Sequence, residues 1–113
     1  VYKLVSIDAP YTYLVTQEYE IFEWVLASIA SHAELAKLIA PRPFFVERGH
    51  SDGVGVDEWV NFEYAKVRRH YAQAGIADRT AIAHFDGPHR IDGAESMPFL
   101  LKFLPPRASA TSR

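Results

Sequence analysis

Two short apolar segments separated by one long helical segment constrain the fold more than any other feature of the sequence. Phe44-Phe45-Val46 is typical of a buried strand, and residues 80–85 alternate small or polar residues with apolar ones. Between them, a segment that begins at Asp57, a helix-capping residue type, places apolar side chains broadly on one side and ends at Gly75. Strands joined by such a helix pair in parallel and are normally covered on both faces. The sequence therefore predicts an α/β fold of parallel strands with crossover helices.

Further helices are predicted on either side of this unit. Apolar residues recur at near-helical spacing from Ile21 to Ile39, until Pro41 and Pro43 stop the pattern. This predicts two helices or one bent helix. A final short helix is predicted through Phe99–Phe103, and residues 105–113 have nothing to bury, so we expect a disordered tail there.

Length and composition exclude several classes of protein. The chain has 113 residues, a formal net charge of −2 and no cysteine. A chain of this length supports one modest hydrophobic core. The balanced charge argues against a basic nucleic-acid arm, and no apolar stretch approaches the roughly 18 residues of a membrane helix. The absence of cysteine excludes disulfides, thiolate zinc sites and cysteine nucleophiles. From the charge and the apolar stretches, we expect a globular domain whose partner is neither nucleic acid nor a membrane.

Two loops after the predicted strands carry the residues with chemical potential. In open parallel sheets, chemistry lies beyond the carboxyl ends of the strands. The loop 49–53 contains Asp52, and the loop 86–89 ends in His89. If the strands are neighbours, these side chains come within hydrogen-bonding reach and form the acid–base half of a Ser-His-Asp hydrolase. On the residues alone, the favoured interpretation of Asp52 is a turn residue that bonds backbone two positions on, and that of His89 is a surface loop residue.

A formal nucleophile motif lies in the first of these loops. Residues 49–53 match the pattern G-x-S-x-G, with Ser51 at the serine position. In a true nucleophile elbow the helix begins at once after the serine, whereas residues 54–56 intervene here before Asp57. We therefore expect Asp52 rather than Ser51 to carry the function of this loop.

The order of these motifs resembles the C-terminal third of an α/β-hydrolase. The residues that carry the resemblance are the run Leu38-Ile39-Ala40-Pro41-Arg42-Pro43, then Gly49 and Asp52, Tyr64-Ala65 and Tyr71, and finally Phe85-Asp86-Gly87-Pro88-His89. They look like the dienelactone-hydrolase and acetyl-xylan-esterase-like branch, which adjoins the prolyl-oligopeptidase-type hydrolases. The match covers about residues 33–104. It implies a partial α/β-hydrolase domain over residues 1–104.

The resemblance also implies roles for individual residues. Asp52 takes the position of the triad acid, three residues after the strand-ending glycine, and His89 that of the general base. The family's serine elbow and oxyanion hole lie upstream, and nothing in residues 1–40 matches them. By this resemblance the chain is a C-terminal fragment or a degenerate copy of a carboxylic ester hydrolase. Alone, it is expected to lack a complete active site.

The same resemblance sets the expected partners. The substrate would be a small-molecule ester or an acylated carbohydrate, and the rest of the hydrolase domain would pack against this segment. Homo-oligomers are a further possibility, because a truncated parallel sheet exposes an edge and an apolar face. No metal or organic cofactor is expected. The sequence does not indicate a cellular compartment.

Two other classes of function stay open at this point. One is a metal site built from imidazoles and carboxylates on the two loops, for which no recognised ligand spacing is satisfied. Its candidate ligands are His50, Asp52, His84, Asp86 and His89. The other is a non-catalytic α/β module that uses the same surface for binding or assembly. The neighbouring Glu47 and Arg48 could form a salt bridge or line a pocket, and the sequence does not decide between these.

Overall fold

Two parallel strands joined by a helix form the centre of the structure. In a computed structural model that describes residues 29–104, strand β1 spans Phe44–Gly49 and strand β2 spans Thr80–Phe85. The two strands pair in parallel, with Phe44 opposite Thr80 and Gly49 opposite Phe85. The predicted α/β class with parallel pairing is therefore confirmed.

Within residues 29–104, three complete helices accompany the strands. Helix α1 spans His32–Lys37, helix α2 spans Asp57–Gln73, and helix α3 spans Ser96–Phe103. A short 3-10 helix, Ala77–Arg79, leads into β2. The predicted helical residues before position 29 and the predicted tail lie outside the described residues. Within residues 29–104, no helix combines the length and the apolarity needed to cross a bilayer.

Alternation along β1 sends successive side chains to two different helices. Phe44 and Val46 pack against the core cluster, which is built mainly from α2. Phe45 points the other way, and its ring centroid lies 5.0 Å from that of Phe99 in α3. The sheet is thus covered on both faces, as parallel sheets require. The buried core consists of Ala33, Tyr64, Val67 and Tyr71.

The helix ends differ in two places from the sequence prediction. Asp57 was predicted to cap α2, but Val56 occupies the cap position and Asp57 is the first helical residue. Its carboxylate is held by Arg48 instead. Helix α1 ends at Lys37, before the prolines, and Leu38 is 76% exposed although the periodicity placed it with the apolar residues. At Asp57, the tertiary contact with Arg48 outweighs the local capping preference.

A fully buried tyrosine connects α2 to the Pro-Arg-Pro segment before β1. The Tyr71 hydroxyl donates to the carbonyl oxygen of Arg42 at 2.7 Å. Burial raises the pKa of the Tyr71 hydroxyl above its ordinary value of 10.0, so the group stays protonated as a donor. Arg79, the last residue of the 3-10 helix before β2, donates to the carbonyl of Pro41 at 3.0 Å. These two bonds fix the start of β1 and hence its register.

We predict that Tyr71→Phe lowers the free energy of unfolding by about 1–2 kcal/mol, because it leaves the Arg42 carbonyl without its buried donor. Urea unfolding of the whole chain measures this. Tyr64→Phe is the matched control, since Thr80 Oγ1 is 3.4 Å from the Tyr64 hydroxyl and that bond is weak. Equal losses in the two variants would contradict the assignment of Tyr71.

Candidate functional site

Asp52 and His89 lie in contact beyond the carboxyl ends of the two strands. His89 Nδ1 is 2.9 Å from Asp52 Oδ1, although 37 positions separate the residues. The parallel pairing explains the contact, because the loops after Gly49 and Phe85 leave the sheet at the same edge. The side chain of Asp52 is 14% exposed, whereas that of His89 is 68% exposed.

Asp52 is also a turn residue, and the oxygen that contacts His89 makes the turn hydrogen bond as well. The amide of Val54 donates to Asp52 Oδ1 at 3.1 Å, two positions on, and the Asp52 amide donates to the Gly49 carbonyl at 3.2 Å. Asp52 therefore shapes its own loop while it binds the histidine. The two roles considered for Asp52, histidine partner and turn residue, are therefore compatible.

Arg48 holds the loop that carries Asp52. Its guanidinium is 4% exposed and donates from Nε to Asp57 at 2.7 Å. Its other nitrogens donate to the carbonyls of Val54 at 2.9 Å and Gly55 at 3.1 Å. Nη1 also lies 3.4 Å from Asp52 Oδ2. One buried cation thus satisfies two backbone carbonyls and faces two carboxylates.

The charge of Arg48 also acts on the acid at the start of α2. The hydrogen bond from Arg48, followed by that from His50, lowers the pKa of Asp57 below its ordinary value of 3.8. Asp57 is therefore ionised at neutral pH, and its negative charge lies in the first turn of a helix, where it is favourable.

Glu47 holds the segment that follows His89. Its carboxylate accepts from the amides of Asp92 at 2.9 Å and Gly93 at 2.8 Å. The hydroxyl of Ser96, the first residue of α3, donates to the same carboxylate. The bond from Ser96, supported by the two amides, lowers the pKa of Glu47 below its ordinary value of 4.5. Glu47 and Arg48 do not pair with each other, because strand alternation points them to opposite faces.

Gly49 lets the two loops approach each other. A Cβ atom at this position would lie 2.5 Å from the carbonyl oxygen of Gly87 and 2.7 Å from that of Pro88. The amide of Ser51 donates to the same Gly87 oxygen at 3.0 Å, so the loop before His89 is bonded to the loop that carries Asp52. Only glycine leaves room for this contact.

A second histidine–carboxylate pair lies beside the first. His50 Nδ1 is 2.5 Å from Asp57 Oδ2, and the His50 ring stacks on His84 at a centroid distance of 5.7 Å. Of the candidate metal ligands, Asp52 and His89 thus form one pair, and His50 belongs to another. Across residues 29–104 no three His, Asp or Glu side chains come together in an arrangement that could hold a metal ion.

Ser51 lies on an exposed turn, and five loop residues separate it from the start of α2 at Asp57. A nucleophile elbow needs the helix to begin directly after the serine, so that the first helical amides form the oxyanion hole. The G-x-S-x-G match therefore lacks the backbone geometry of an elbow.

The Asp52–His89 pair is arranged for proton transfer. An ionised carboxylate only accepts hydrogen bonds, so the bonded Nδ1 of His89 carries the proton. Nε2 then has a free lone pair, and it has no hydrogen-bond partner within residues 29–104. Because the imidazole is 68% exposed, this atom is accessible to a hydroxyl group from outside the described region. The pair can act as a general base whose imidazolium form the carboxylate stabilises.

Sequence reasoning missed the roles of Glu47, Arg48 and Asp57. The available signal was the pair of adjacent opposite charges at the end of a buried strand, where charged residues need partners. No protein-family model, curated protein or solved structure matches the chain. The fold and the site together define a small α/β domain with a histidine–carboxylate pair at the carboxyl edge of its parallel strands.

We predict that Gly49→Ala separates Asp52 from His89, because its methyl group collides with backbone oxygens rather than with side chains that can rotate. The imidazole NMR signals of His89 should move. Gly75→Ala, beyond the far end of α2, strains the backbone at a φ of 74° but has no atom within 4 Å of its Cβ, so it should leave these signals in place. Unchanged His89 signals in Gly49→Ala would show that the loops do not depend on this close approach.

We also predict that acid destabilises the fold through Glu47. Its lowered pKa means that the folded state favours the ionised form, so this stability is present above 4.5 and is lost as the pH falls through the lowered value. Urea unfolding between about pH 7 and pH 2 measures the loss. Glu47→Gln should flatten the pH dependence, whereas Glu58→Gln, on the exposed side of α2, should not. The same slope in Glu47→Gln and the unaltered chain would contradict the prediction.

Proposed function

We propose that the chain supplies the acid and the general base of a serine carboxylic-ester hydrolase with an α/β-hydrolase fold. Asp52 is the acid, His89 is the base, and the nucleophilic serine comes from outside residues 29–104. The observation that carries the proposal is the 2.9 Å contact between Asp52 Oδ1 and His89 Nδ1, which leaves Nε2 available. The resemblance of the strand–acid–helix–strand–histidine order to α/β-hydrolases supports it as an analogy.

The proposed chemistry is acyl transfer through the serine. His89 Nε2 accepts the serine proton as the serine oxygen attacks the ester carbonyl carbon. The bond from that carbon to the alcohol oxygen then breaks, and the alcohol leaves with the proton from Nε2. Water, activated by the same nitrogen, releases the acid in a second cycle. The substrate proposed from the resemblance is a small-molecule ester or an acylated carbohydrate.

Electrostatics favour the Asp52–His89 pair over the neighbouring Asp57–His50 pair. Asp57 is neutralised directly by Arg48 Nε at 2.7 Å, whereas Asp52 is 3.4 Å from the same guanidinium. The guanidinium therefore interacts less strongly with Asp52 than with Asp57. One face of the His50 ring is also covered by His84. The side chain of His89 is more exposed than that of His50, 68% against 51%, so we assign the general base to His89.

Exposed apolar side chains agree with packing against further parts of such a domain. On α3, Leu101 is 60% exposed and Met97 is 52% exposed, and Leu104 directly after it is 68% exposed. Ile91, in the loop after His89, is 77% exposed. The same surface also suits a non-catalytic α/β module that binds another protein segment, which is the second candidate function.

We predict that, in the longest natural polypeptide that contains this sequence, Asp52→Asn lowers kcat for p-nitrophenyl acetate by about 10⁴-fold and His89→Gln by about 10⁶-fold. Aspartate loss permits the wrong histidine tautomer, and histidine loss removes the base. The matched controls are Asp86→Asn and His84→Gln, which alter exposed residues of the same types near the same edge. Both should keep most of the activity.

A fluorophosphonate probe with peptide mapping locates the nucleophile in the same protein. Labelling of a serine outside residues 29–104 that is lost in His89→Gln is the expected result. Labelling of Ser51 would assign the nucleophile to the loop of residues 49–53. Activity that depends on His50 but not on His89 would transfer the role to the other pair. If there is neither hydrolysis nor labelling, the hydrolase proposal fails and the binding module is the better description.

A further inference from the structure

We infer that Glu47 and Arg48 are positioning residues, which set the distance between Asp52 and His89; neither bonds to His89, and Arg48 faces Asp52 on the oxygen that His89 does not use. Glu47 anchors the loop of the base, and Arg48 anchors the loop of the acid. The effect on catalysis rests on the proposed function. The effect on the Asp52–His89 hydrogen bond does not, and it can be measured in the chain itself.

Because side chains alternate along β1, the two adjacent residues contact different helices. Even-numbered side chains of β1 face α2, and odd-numbered ones face α3, as the contacts of Val46 and Phe45 show. Arg48 therefore meets the start of α2 at Asp57, and Glu47 meets the start of α3 at Ser96. Side chains of β1, which lies between the two helices, thus hold the end of each loop by hydrogen bonds.

Arg48 holds the loop of residues 50–56, which carries Asp52, at the end that leads into α2. Its contacts with the carbonyls of Val54 and Gly55 and with Asp57 all lie beyond Asp52 in the chain. At the near side, the Asp52 amide is bonded to Gly49. The loop is therefore held at both ends, with Asp52 Oδ1 bonded to both the Val54 amide and His89.

Glu47 holds the loop of residues 86–95, which carries His89, at the end that leads into α3. Before His89, the Gly87 carbonyl accepts from Ser51, and after His89 the amides of Asp92 and Gly93 donate to Glu47. His89 is thus 68% exposed at its ring but lies in a segment bonded on either side. A mobile surface histidine needs no such arrangement.

Stability alone does not account for these two charges. Apolar side chains of similar volume commonly replace buried charged groups with no loss of stability, because desolvation offsets the attraction. Apolar residues do not supply directional hydrogen bonds to the loops. The planar guanidinium binds three acceptors at once, and the carboxylate binds two amides and a hydroxyl.

The test is the tautomer of His89 in the full chain, read from imidazole nitrogen NMR with ¹⁵N-labelled histidine. The signals are assigned by their loss in His89→Gln. In the unaltered chain we expect the Nδ1–H form, held by Asp52. In Glu47→Gln and Arg48→Lys, the ratio of Nδ1–H to Nε2–H should fall about tenfold, because a hydrogen bond to a charged group is weakened.

The matched controls are Glu58→Gln and Arg69→Lys, which make the same chemical changes on the exposed surface of α2 and should leave the ratio unchanged. Circular dichroism shows whether each variant is folded. If Glu47→Gln or Arg48→Lys unfolds, Ser96→Ala decides, since it removes only one donor to Glu47 and should shift the ratio less in the same direction. An unchanged ratio in the folded variants overturns the inference.

Kinetics separates this inference from the proposed function. In the longest natural polypeptide that contains the sequence, misplacement of the pair should lower kcat by up to about 100-fold while KM changes little. A tautomer shift in a protein with no esterase activity would retain the positioning role and reject the hydrolase. Esterase activity that needs Asp52, with kcat and tautomer unchanged in Glu47→Gln and Arg48→Lys, would reject the positioning role and retain the hydrolase.

Discussion

The buried guanidinium of Arg48 is the interaction on which the loops of this domain depend. It lies where β1 ends, and it supplies donors to the carbonyls of Val54 and Gly55, which have no place in a regular ladder. It also faces Asp52 and Asp57, two carboxylates that would otherwise repel each other at close range. Without this cation, both carbonyls would lose their donors, and Asp57 would lose the hydrogen bond that lowers its pKa.

Sharing one cation gives the two acids different environments. Asp57 makes the direct contact and has its pKa lowered by it, while Asp52 is farther away and directs its oxygen to His89. Two histidine–carboxylate pairs therefore lie within one loop system but differ in how much negative charge reaches the imidazole. Two similar sets of side chains thus differ in their distance from one guanidinium.

The sequence was sufficient to predict the elements whose signals are local. The apolar runs of β1 and β2, the long helix between them and the glycine after it follow from periodicity and turn preferences, and the structure contains each. The juxtaposition of Asp52 and His89 follows from parallel pairing. The partners of Glu47, Arg48 and Asp57 did not follow, because they depend on which face each strand residue presents to helices distant in the chain.

The charges at the end of β1 also specify how the two strands align. A shift of one residue in a strand moves every side chain to the opposite face. Such a slip would bring the Glu47 carboxylate toward Asp52 and Asp57, and it would place the Arg48 guanidinium against the amides of Asp92 and Gly93, which are themselves donors. Both misplaced groups would be buried against like charge or like polarity. Adjacent residues of opposite sign thus select one register for the sheet, in a fold with only two described strands to define it.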